Sequence, residues 1–294
     1  MSNESSKAKR IVVKIGTSTL THQTGSPNLR RMEELCKVMS DVKNSGVELV
    51  LVSSGAIEVG RAKLGVPKRQ DAGGHPEAVS EKQALAAIGQ CELMNIYSKL
   101  FGIHSHQVAQ LLITRDVVEN EHRRQNSLNT FETILRWKVI PIVNENDTVS
   151  IDEISENDTF GDNDKLSAIV AGLTGADMLI MLTDTDGLYD SDPRKNPAAK
   201  LIERVSGEVT AIAGDSGGSR GTGGMRSKVA AAQMAAWAGI ETVIVNGSRP
   251  ENIYKALDGE RVGTRFEAKS DLLISPTMNT KGWKFSREEA NERR

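Results

Sequence analysis

The segment RIVVKIGTSTL, residues 10–20, decides the fold class of this chain. Ile11 to Ile15 predict a buried strand, and the Gly-Thr-Ser-Thr run that follows predicts a turn. Asn28 is a suitable helix N-cap and Gly46 a suitable C-terminal stop. VELVLVSSGA then predicts a second strand, Val47 to Val52. Between the two strands, apolar residues recur at helical spacing at Leu29, Met32, Cys36, Met39 and Val42. The strand–helix–strand order is typical of an α/β protein with a mostly parallel sheet and helices on both faces.

The same alternation continues along the chain, so one large domain is predicted over residues 8–269. A polar tail is predicted at 270–294, and the segment 150–165 is the expected boundary between two lobes, about 8–165 and about 166–269. Further strands are predicted at VAQLLI (108–113), VIPIVNEND (139–147), ADMLIMLTD (176–184), IETVIVNG (240–247) and VGTRF (262–266). Helices are predicted at about Glu77–Phe101, 121–137, Leu166–Thr174 and Met225–Ala238.

Composition excludes several classes of protein. The net charge of −2, from 37 basic and 39 acidic residues, argues against a nucleic-acid binder, and 4% aromatic residues argue against base stacking. Cys36 and Cys91 cannot form a disulfide framework, and neither belongs to a CxxC pair. No run approaches the ~20 apolar residues of a membrane span, and the first residues lack a secretory pattern. We therefore expect a cytoplasmic protein that binds neither nucleic acid nor membrane.

Two turns that follow strands are candidate anion sites. Lys14 lies inside an apolar strand, so it either meets an anion such as a phosphate or extends its ammonium to water. Ser53, Ser54 and Gly55 precede a predicted helix, where N–H groups and hydroxyls suit a carboxylate or phosphate; simple N-capping by Ser54 is the alternative.

The glycine-rich stretch GDSGGSRGTGGMRSK opens a helix and ends at Lys228. Glycines allow a close backbone approach and the lysine supplies charge, which favours a nucleotide phosphate over a plain linker. The stretch matches neither a Walker A loop nor GxGxxG. Thr183-Asp184 ends a predicted strand, where ligands bind in open α/β sheets.

Two segments near the middle of the sequence are rich in acidic and amide residues. They have three interpretations: a cation site without EF-hand spacing, a solvated acidic loop, or a site for an ammonium group. The segment SIDEISENDTFGDND (150–164) itself is typical of a surface loop or hairpin. The acidic and amide residues concerned are Asn144, Glu145, Asn146, Asp147, Asp162, Asn163 and Asp164.

Together these segments resemble the amino acid kinase family, and within it the branch that phosphorylates glutamate. The combination of GDND, GTGGMRSK and NEND is typical of that branch, whereas single motifs occur in acetylglutamate, uridylate and aspartate kinases. The matching stretches, in order over about residues 10–266, are VVKIGTSTL, SSGAI, KQALAAIGQ, IVNEND, FGDNDKLSA, MLTDTDGLYDSDPR, AGDSGGSRGTGGMRSK and NGSRP.

The resemblance implies a three-layer αβα sandwich whose first lobe binds L-glutamate and whose second binds ATP. Lys14 and Lys228 would stabilise the transferred phosphoryl group, and Asp164 would organise them. Glutamate would be bound by Ser54, Gly55, Asn144, Asp147 and Asn163. ATP would contact Lys14, Gly16, Thr183, Asp184, Thr222, Gly223, Gly224, Met225, Arg226, Ser227 and Lys228.

The implied reaction is ATP-dependent phosphorylation of the γ-carboxylate of glutamate, the first step of proline biosynthesis. Mg²⁺ would assist, with no side-chain ligand assigned to it, and the glycine loop would act as a lid. Proline as a feedback inhibitor, a homo-oligomer (dimer or tetramer) and functional coupling to glutamate-5-semialdehyde dehydrogenase are also implied. The alternatives are a kinase for acetylglutamate, aspartate or UMP, and a non-catalytic amino-acid sensor.

The chain departs from the family pattern in several places. Few residues follow 269, so we expect no PUA domain of the kind that many members carry. The segment between NEND and GDND is long, Thr159 stands near the place of a lysine in some relatives, and the loop 66–76 is extended.

Overall fold

The structure is a computed structural model that describes residues 9–67, 78–114, 117, 119–149, 163–207 and 224–269. Its strands are β1 (Arg10–Ile15), β2 (Glu48–Ser53), β3 (Val108–Ile113), β4 (Ile140–Glu145), β5 (Met178–Thr183), β6 (Arg204–Val205), β7 (Glu241–Asn246) and β8 (Thr264–Phe266). Its helices are α1 (Thr17–Leu20), α2 (Leu29–Asn44), α3 (Ala56–Leu64), α4 (Val79–Ile103), α5 (Glu121–Arg136), α6 (Asn163–Thr174), α7 (Met225–Trp237) and α8 (Asn252–Leu257).

These strands form one sheet in the order β3-β4-β2-β1-β5-β7-β8-β6. Every pairing is parallel except that of β7 with β8. β1 lies between β2 and β5, and its register places Lys14 beside Val52 on one side and Met181 on the other. The predicted α/β class with a mostly parallel sheet is confirmed, and the two halves of the chain share one continuous sheet.

Alternate residues of β1 face opposite sides of the sheet, and each side carries its own apolar core. Ile11, Val13 and Ile15 join the core that is covered by α2, α3, α4 and α8. Val12 joins the other core, which is covered by α5, α6 and α7. By this alternation Lys14 belongs to the face of α6 and α7, which decides the partners available to its ammonium group.

Helices α3 and α4 approach closely because glycines stand at their contact. A Cβ on Gly89 would lie 1.7 Å from the carbonyl oxygen of Ala56, and one on Gly60 would lie 2.0 Å from that of Leu85. Any larger residue would force the helices apart. The contact therefore fixes α4 against the start of α3, directly behind the end of β2.

Several sequence predictions need correction at the ends of elements. α6 begins at Asn163 rather than at Leu166, so Asn163 and Asp164 are helical and not part of a surface loop. The remainder of that loop, residues 150–162 including Thr159, lies outside the described residues, as do 68–77 and the tail 270–294. α1, α8 and β6 were not predicted, because segments of two to six residues are too short for a recognisable period.

The predicted ends of α2 are confirmed. The side chain of Asn28 accepts a hydrogen bond from the N–H of Arg31, as an N-cap does, and Gly46 has a φ of 96°. Within the part of the chain that the structure describes, no helix combines the length and the apolar character that crossing a membrane requires.

Candidate active site

Several of the predicted site residues lie at the carboxyl ends of the central parallel strands. Ile15 ends β1 and is followed by Gly16, while β2 is followed by Ser54 and Gly55. The two turns touch, since the N–H of Ser54 donates to the carbonyl of Ile15 at 3.1 Å. Gly55 has a φ of 94° and is the N-cap of α3, so the alternative in which Ser54 caps this helix is wrong. This edge of an open α/β sheet is where ligands bind.

One buried carboxylate holds two lysines at this edge. The Nζ of Lys14 lies 2.6 Å from Oδ1 of Asp164, and the Nζ of Lys228 lies 3.0 Å from Oδ2 of the same residue. Asp164 is fully buried, Lys14 is 4% exposed and Lys228 is 9% exposed. The alternative in which Lys14 extends its ammonium into water is therefore wrong. The cluster joins β1, the first turn of α6 and the first turns of α7.

The ion pairs keep Asp164 ionised. Burial alone would raise the pKa of this carboxyl, but the charges of Lys14 and Lys228 lower it, assisted by hydrogen bonds from Lys14 and Ser227, to about 2. Two cations against one anion leave the cluster with a net positive charge. A buried positive charge at a strand edge favours an anionic ligand.

Ser227 supports the carboxylate. It was predicted among the nucleotide contacts, and its Oγ lies 2.7 Å from Oδ2 of Asp164 and 3.0 Å from the carbonyl oxygen of Gly224. Gly224 is the N-cap of α7. The start of α7 is thereby attached to α6 through a hydroxyl as well as through Lys228.

A second cluster, made of amides, lies over the ends of β2 and β4. The Nδ2 group of Asn163 donates to Oδ1 of Asn144 at 3.0 Å and to Oγ of Ser54 at 3.1 Å, and it lies 3.4 Å from the carbonyl oxygen of Ser53. Asn144 in turn donates to Oε1 of Gln90 at 2.9 Å. Oδ1 of Asn163 is buried and accepts no hydrogen bond within the described residues. The cluster therefore keeps an unused acceptor on the residue that directly precedes Asp164.

The remaining predicted residues lie around these clusters. Asp147 is half-buried in the turn that follows β4. Thr183 ends β5 and is buried, and its hydroxyl donates to the carboxylate of the exposed Asp184 at 3.2 Å. Met225 and Arg226 form the first turn of α7. Thr222 and Gly223 lie outside the described residues, together with most of the glycine-rich stretch.

Sequence reasoning missed two residues of α4 that support this edge. Gln90 binds Asn144, and the phenol oxygen of Tyr97 lies 3.0 Å from Oγ of Ser53. Both are buried. Gln90 ends the quoted motif KQALAAIGQ, and a buried amide in an alanine-rich helix is the signal that would have identified it.

The fold and this site define a kinase: the chain belongs to the amino acid kinase family, which its residues 9–246 match. Curated relatives are the glutamate 5-kinase of Clostridium perfringens, 54% identical over 89% of this chain and 96% of the relative, and that of Listeria innocua, 47% identical over 90% and 95%. The resemblance to the glutamate branch of the family is thus confirmed.

Solved structures share the fold at low identity. Isopentenyl phosphate kinase of T. acidophilum has a TM-score of 0.60 at 17% identity, covering 88% of this chain and 100% of that one. UMP kinase of Bacillus anthracis has a TM-score of 0.57 at 17% identity, covering 92% and 100%. These likenesses concern the fold alone.

Proposed function

We propose that this kinase transfers the γ-phosphoryl group of ATP to the γ-carboxylate of L-glutamate, which gives L-glutamyl 5-phosphate and ADP in the first step of proline biosynthesis. The observation that carries the proposal is the Lys14–Asp164–Lys228 cluster, at 2.6 and 3.0 Å, adjacent to the amide cluster of Asn163. Its support from relatives is the glutamate 5-kinase name that several of them carry at 45–54% identity. We assign the glutamate-binding lobe to about residues 8–165 and the ATP-binding lobe to about 166–269.

The nucleophile needs no general base in this reaction. The side-chain carboxyl of glutamate has a pKa of about 4.3, so it is already ionised at neutral pH. One of its oxygens forms a bond to the γ-phosphorus while the bond to the bridging oxygen breaks, and ADP leaves with that electron pair. Catalysis then depends on positioning and on relief of the repulsion between two anions.

Lys14 and Lys228 supply that relief in our assignment. Lys14 comes from the central strand and Lys228 from the helix after the glycine-rich stretch, so they approach the phosphoryl group from different elements. Asp164 binds both ammonium groups and remains ionised, with its pKa lowered to about 2, so it acts as an organiser and not as a base.

Glutamate would lie over the amide cluster. The free Oδ1 of Asn163 suits the α-ammonium group, and Asp147 adds a negative charge for it. Asn144 and the Ser54-Gly55 turn complete the site, where hydroxyl and N–H groups suit the α-carboxylate. The γ-carboxylate would then point to the lysines.

ATP would bind along the ends of β5 and the start of α7, at Gly16, Thr183, Asp184 and the segment Thr222 to Lys228. Mg²⁺ neutralises phosphate charge when it is bound, and it usually takes few carboxylates together with phosphates and water. Within the described residues no group of three or more His, Cys, Asp or Glu side chains is placed to hold a metal. In our proposal the cation would enter with the nucleotide.

Proline as feedback inhibitor belongs to the same proposal, because proline shares the α-carboxylate and the α-nitrogen of glutamate. A cytoplasmic location, where ATP and glutamate are available, a homo-oligomeric state and functional coupling to a glutamate-5-semialdehyde dehydrogenase are proposed with it. The acyl phosphate product hydrolyses readily, which favours rapid consumption by the next enzyme.

The test compares acceptors. Purified protein is incubated with ATP, Mg²⁺ and glutamate, N-acetylglutamate, aspartate or UMP; ADP release is measured, and acyl phosphates are trapped with hydroxylamine. We expect the hydroxamate to form from glutamate at a rate about 10²-fold above the background rate. Preference for another acceptor would reassign the substrate. If none of the acceptors causes ADP release, a non-catalytic sensor would be favoured.

A further inference from the structure

We infer that Gln90 is a positioning residue for the amino-acid substrate, acting through Asn144 and Asn163; the inference rests on the proposed glutamate site. Gln90 lies on α4 and is 8% exposed. It touches neither lysine of the phosphoryl site in any hydrogen bond of the structure. We therefore expect Gln90 to affect the binding of the amino acid and not that of the nucleotide.

The amides form a chain with one direction. At one end, the carbonyl oxygen of Ser53 only accepts, so it faces the NH₂ group of Asn163. The same NH₂ group donates to Oδ1 of Asn144, which leaves the NH₂ group of Asn144 to find an acceptor. Oε1 of Gln90 is that acceptor, at 2.9 Å. Gln90 thus completes the orientation in which Oδ1 of Asn163 accepts no hydrogen bond within the described residues.

The position of Gln90 is fixed by its neighbour. Gly89 packs against the carbonyl of Ala56 with no room for a Cβ, so this turn of α4 cannot shift towards or away from the strand ends without losing that contact. Gln90 consequently presents its amide at a set distance from β4. A rigid partner of this kind holds a neighbouring amide in one rotamer.

Loss of the Gln90 acceptor has a specific consequence. Asn144 is 2% exposed, so its unpaired NH₂ group would have to turn to another acceptor. A turned amide faces Asn163 with NH₂ against NH₂, which displaces the Asn163 side chain and its free Oδ1. Binding of the ammonium group weakens, while the lysine cluster keeps its contacts.

The experiment measures steady-state kinetics of Gln90→Met, which removes the acceptor at similar size, and Gln90→Glu, which keeps it. Asn95→Ala, at an exposed position of the same helix, is the control. We expect Gln90→Met to raise the KM for glutamate about tenfold, which is typical of one lost buried hydrogen bond. The KM for ATP should stay within about twofold, and Gln90→Glu should recover most of the glutamate affinity. In an Asn144→Ala background, Gln90→Met should add nothing.

Several results would overturn the inference. They are an unchanged KM for glutamate in Gln90→Met, equal impairment in Gln90→Glu, or an additive effect on Asn144→Ala. If Gln90→Met and a second apolar variant, Gln90→Leu, both fail to fold while Gln90→Glu folds, the acceptor stabilises the whole domain and the positioning role is wrong. A wild-type protein that does not phosphorylate glutamate would overturn the proposed function, and this inference with it. If the wild type is active and Gln90→Met has the same KM for glutamate, only the inference would be overturned.

Discussion

Lys14 and Lys228 bind opposite oxygens of one carboxylate, Lys14 at 2.6 Å and Lys228 at 3.0 Å. The arrangement separates two like charges while it keeps both at the same edge of the sheet. A phosphoryl group near this edge would meet cations that are already ordered, so little reorganisation would be needed during transfer.

Lys228→Ala should lower kcat by about 10²–10³, because one electrostatic contact to the transferring group is lost. The KM for glutamate should change less than about threefold, since the amide cluster is untouched. Steady-state kinetics measure both, and Lys255→Ala, at an exposed position of α8, is the control. A kcat close to that of the wild type would remove Lys228 from the assignment.

Asp147→Ala should weaken the binding of glutamate. Loss of a charged partner for the α-ammonium group costs roughly 1.5–3 kcal/mol, so the KM for glutamate should rise about ten- to hundredfold. Asp147→Asn keeps an acceptor without the charge and should lie between the variant and the wild type. A larger effect on the KM for ATP would mean that the two lobes are assigned in reverse.

Proline should inhibit in competition with glutamate. It would occupy Ser54, Gly55, Asn144 and Asp147 but has no γ-carboxylate to phosphorylate. Glutamate titrations at several fixed proline concentrations should show a rising apparent KM, and Asp147→Ala should blunt both ligands together. Inhibition that lowers only the maximal rate would place proline at a separate site.

Acid should lower the free energy of unfolding by a defined amount. The pKa of Asp164, about 2, lies below its ordinary value of 3.8, so its contribution is complete above pH ~4 and is lost as the pH falls towards 2. The difference in pKa corresponds to about 2 kcal/mol. Urea unfolding at a series of pH values should show the gap between wild type and Asp164→Asn narrowing by that amount; a constant gap would contradict the ionised carboxylate.

Two glycines of α4 should respond in opposite directions to alanine. Gly89→Ala places a methyl group 1.7 Å from the carbonyl of Ala56, and overpacking of this kind costs about 1–3 kcal/mol or more. Gly102→Ala meets nothing within 4 Å and should stabilise the helix by about 0.5–1 kcal/mol. Thermal unfolding of both variants tests the close contact of α3 with α4; tolerance of Gly89→Ala would contradict it.

The sequence predicted the alternation of strands and helices well, because buried parallel strands leave long apolar runs and α2 carries a clear N-cap at Asn28. It predicted the site less completely. The apolar strand around Lys14 left open whether its ammonium meets an anion or water, and Asp164 stood in a run so acidic that a surface loop was the simpler interpretation. That carboxylate is buried where α6 packs over β1 and meets Ser227 and Lys228 of α7.

Gln90 shows a different limit. Its contact with Asn144 depends on how closely α4 approaches the strand ends, and that distance is set by Gly60 and Gly89 against backbone carbonyls. Spacing along one helix carries no information about such a crossing. The amide chain therefore becomes visible only in three dimensions.

The central place of β1 also orders events during synthesis. β1 is made first, yet one of its two neighbours is β5, residues Met178–Thr183. While the ribosome is still translating the first half, β1 to β4 can pair, but the far edge of β1 has open N–H and C=O groups that can recruit another nascent chain. Lys14 likewise cannot pair with Asp164 until α6 has been synthesised. Arrival of α6 and β5 covers this edge of β1 and brings Asp164 to Lys14, whereas β5 remains an open edge until β7 is made and Lys228 arrives only with α7.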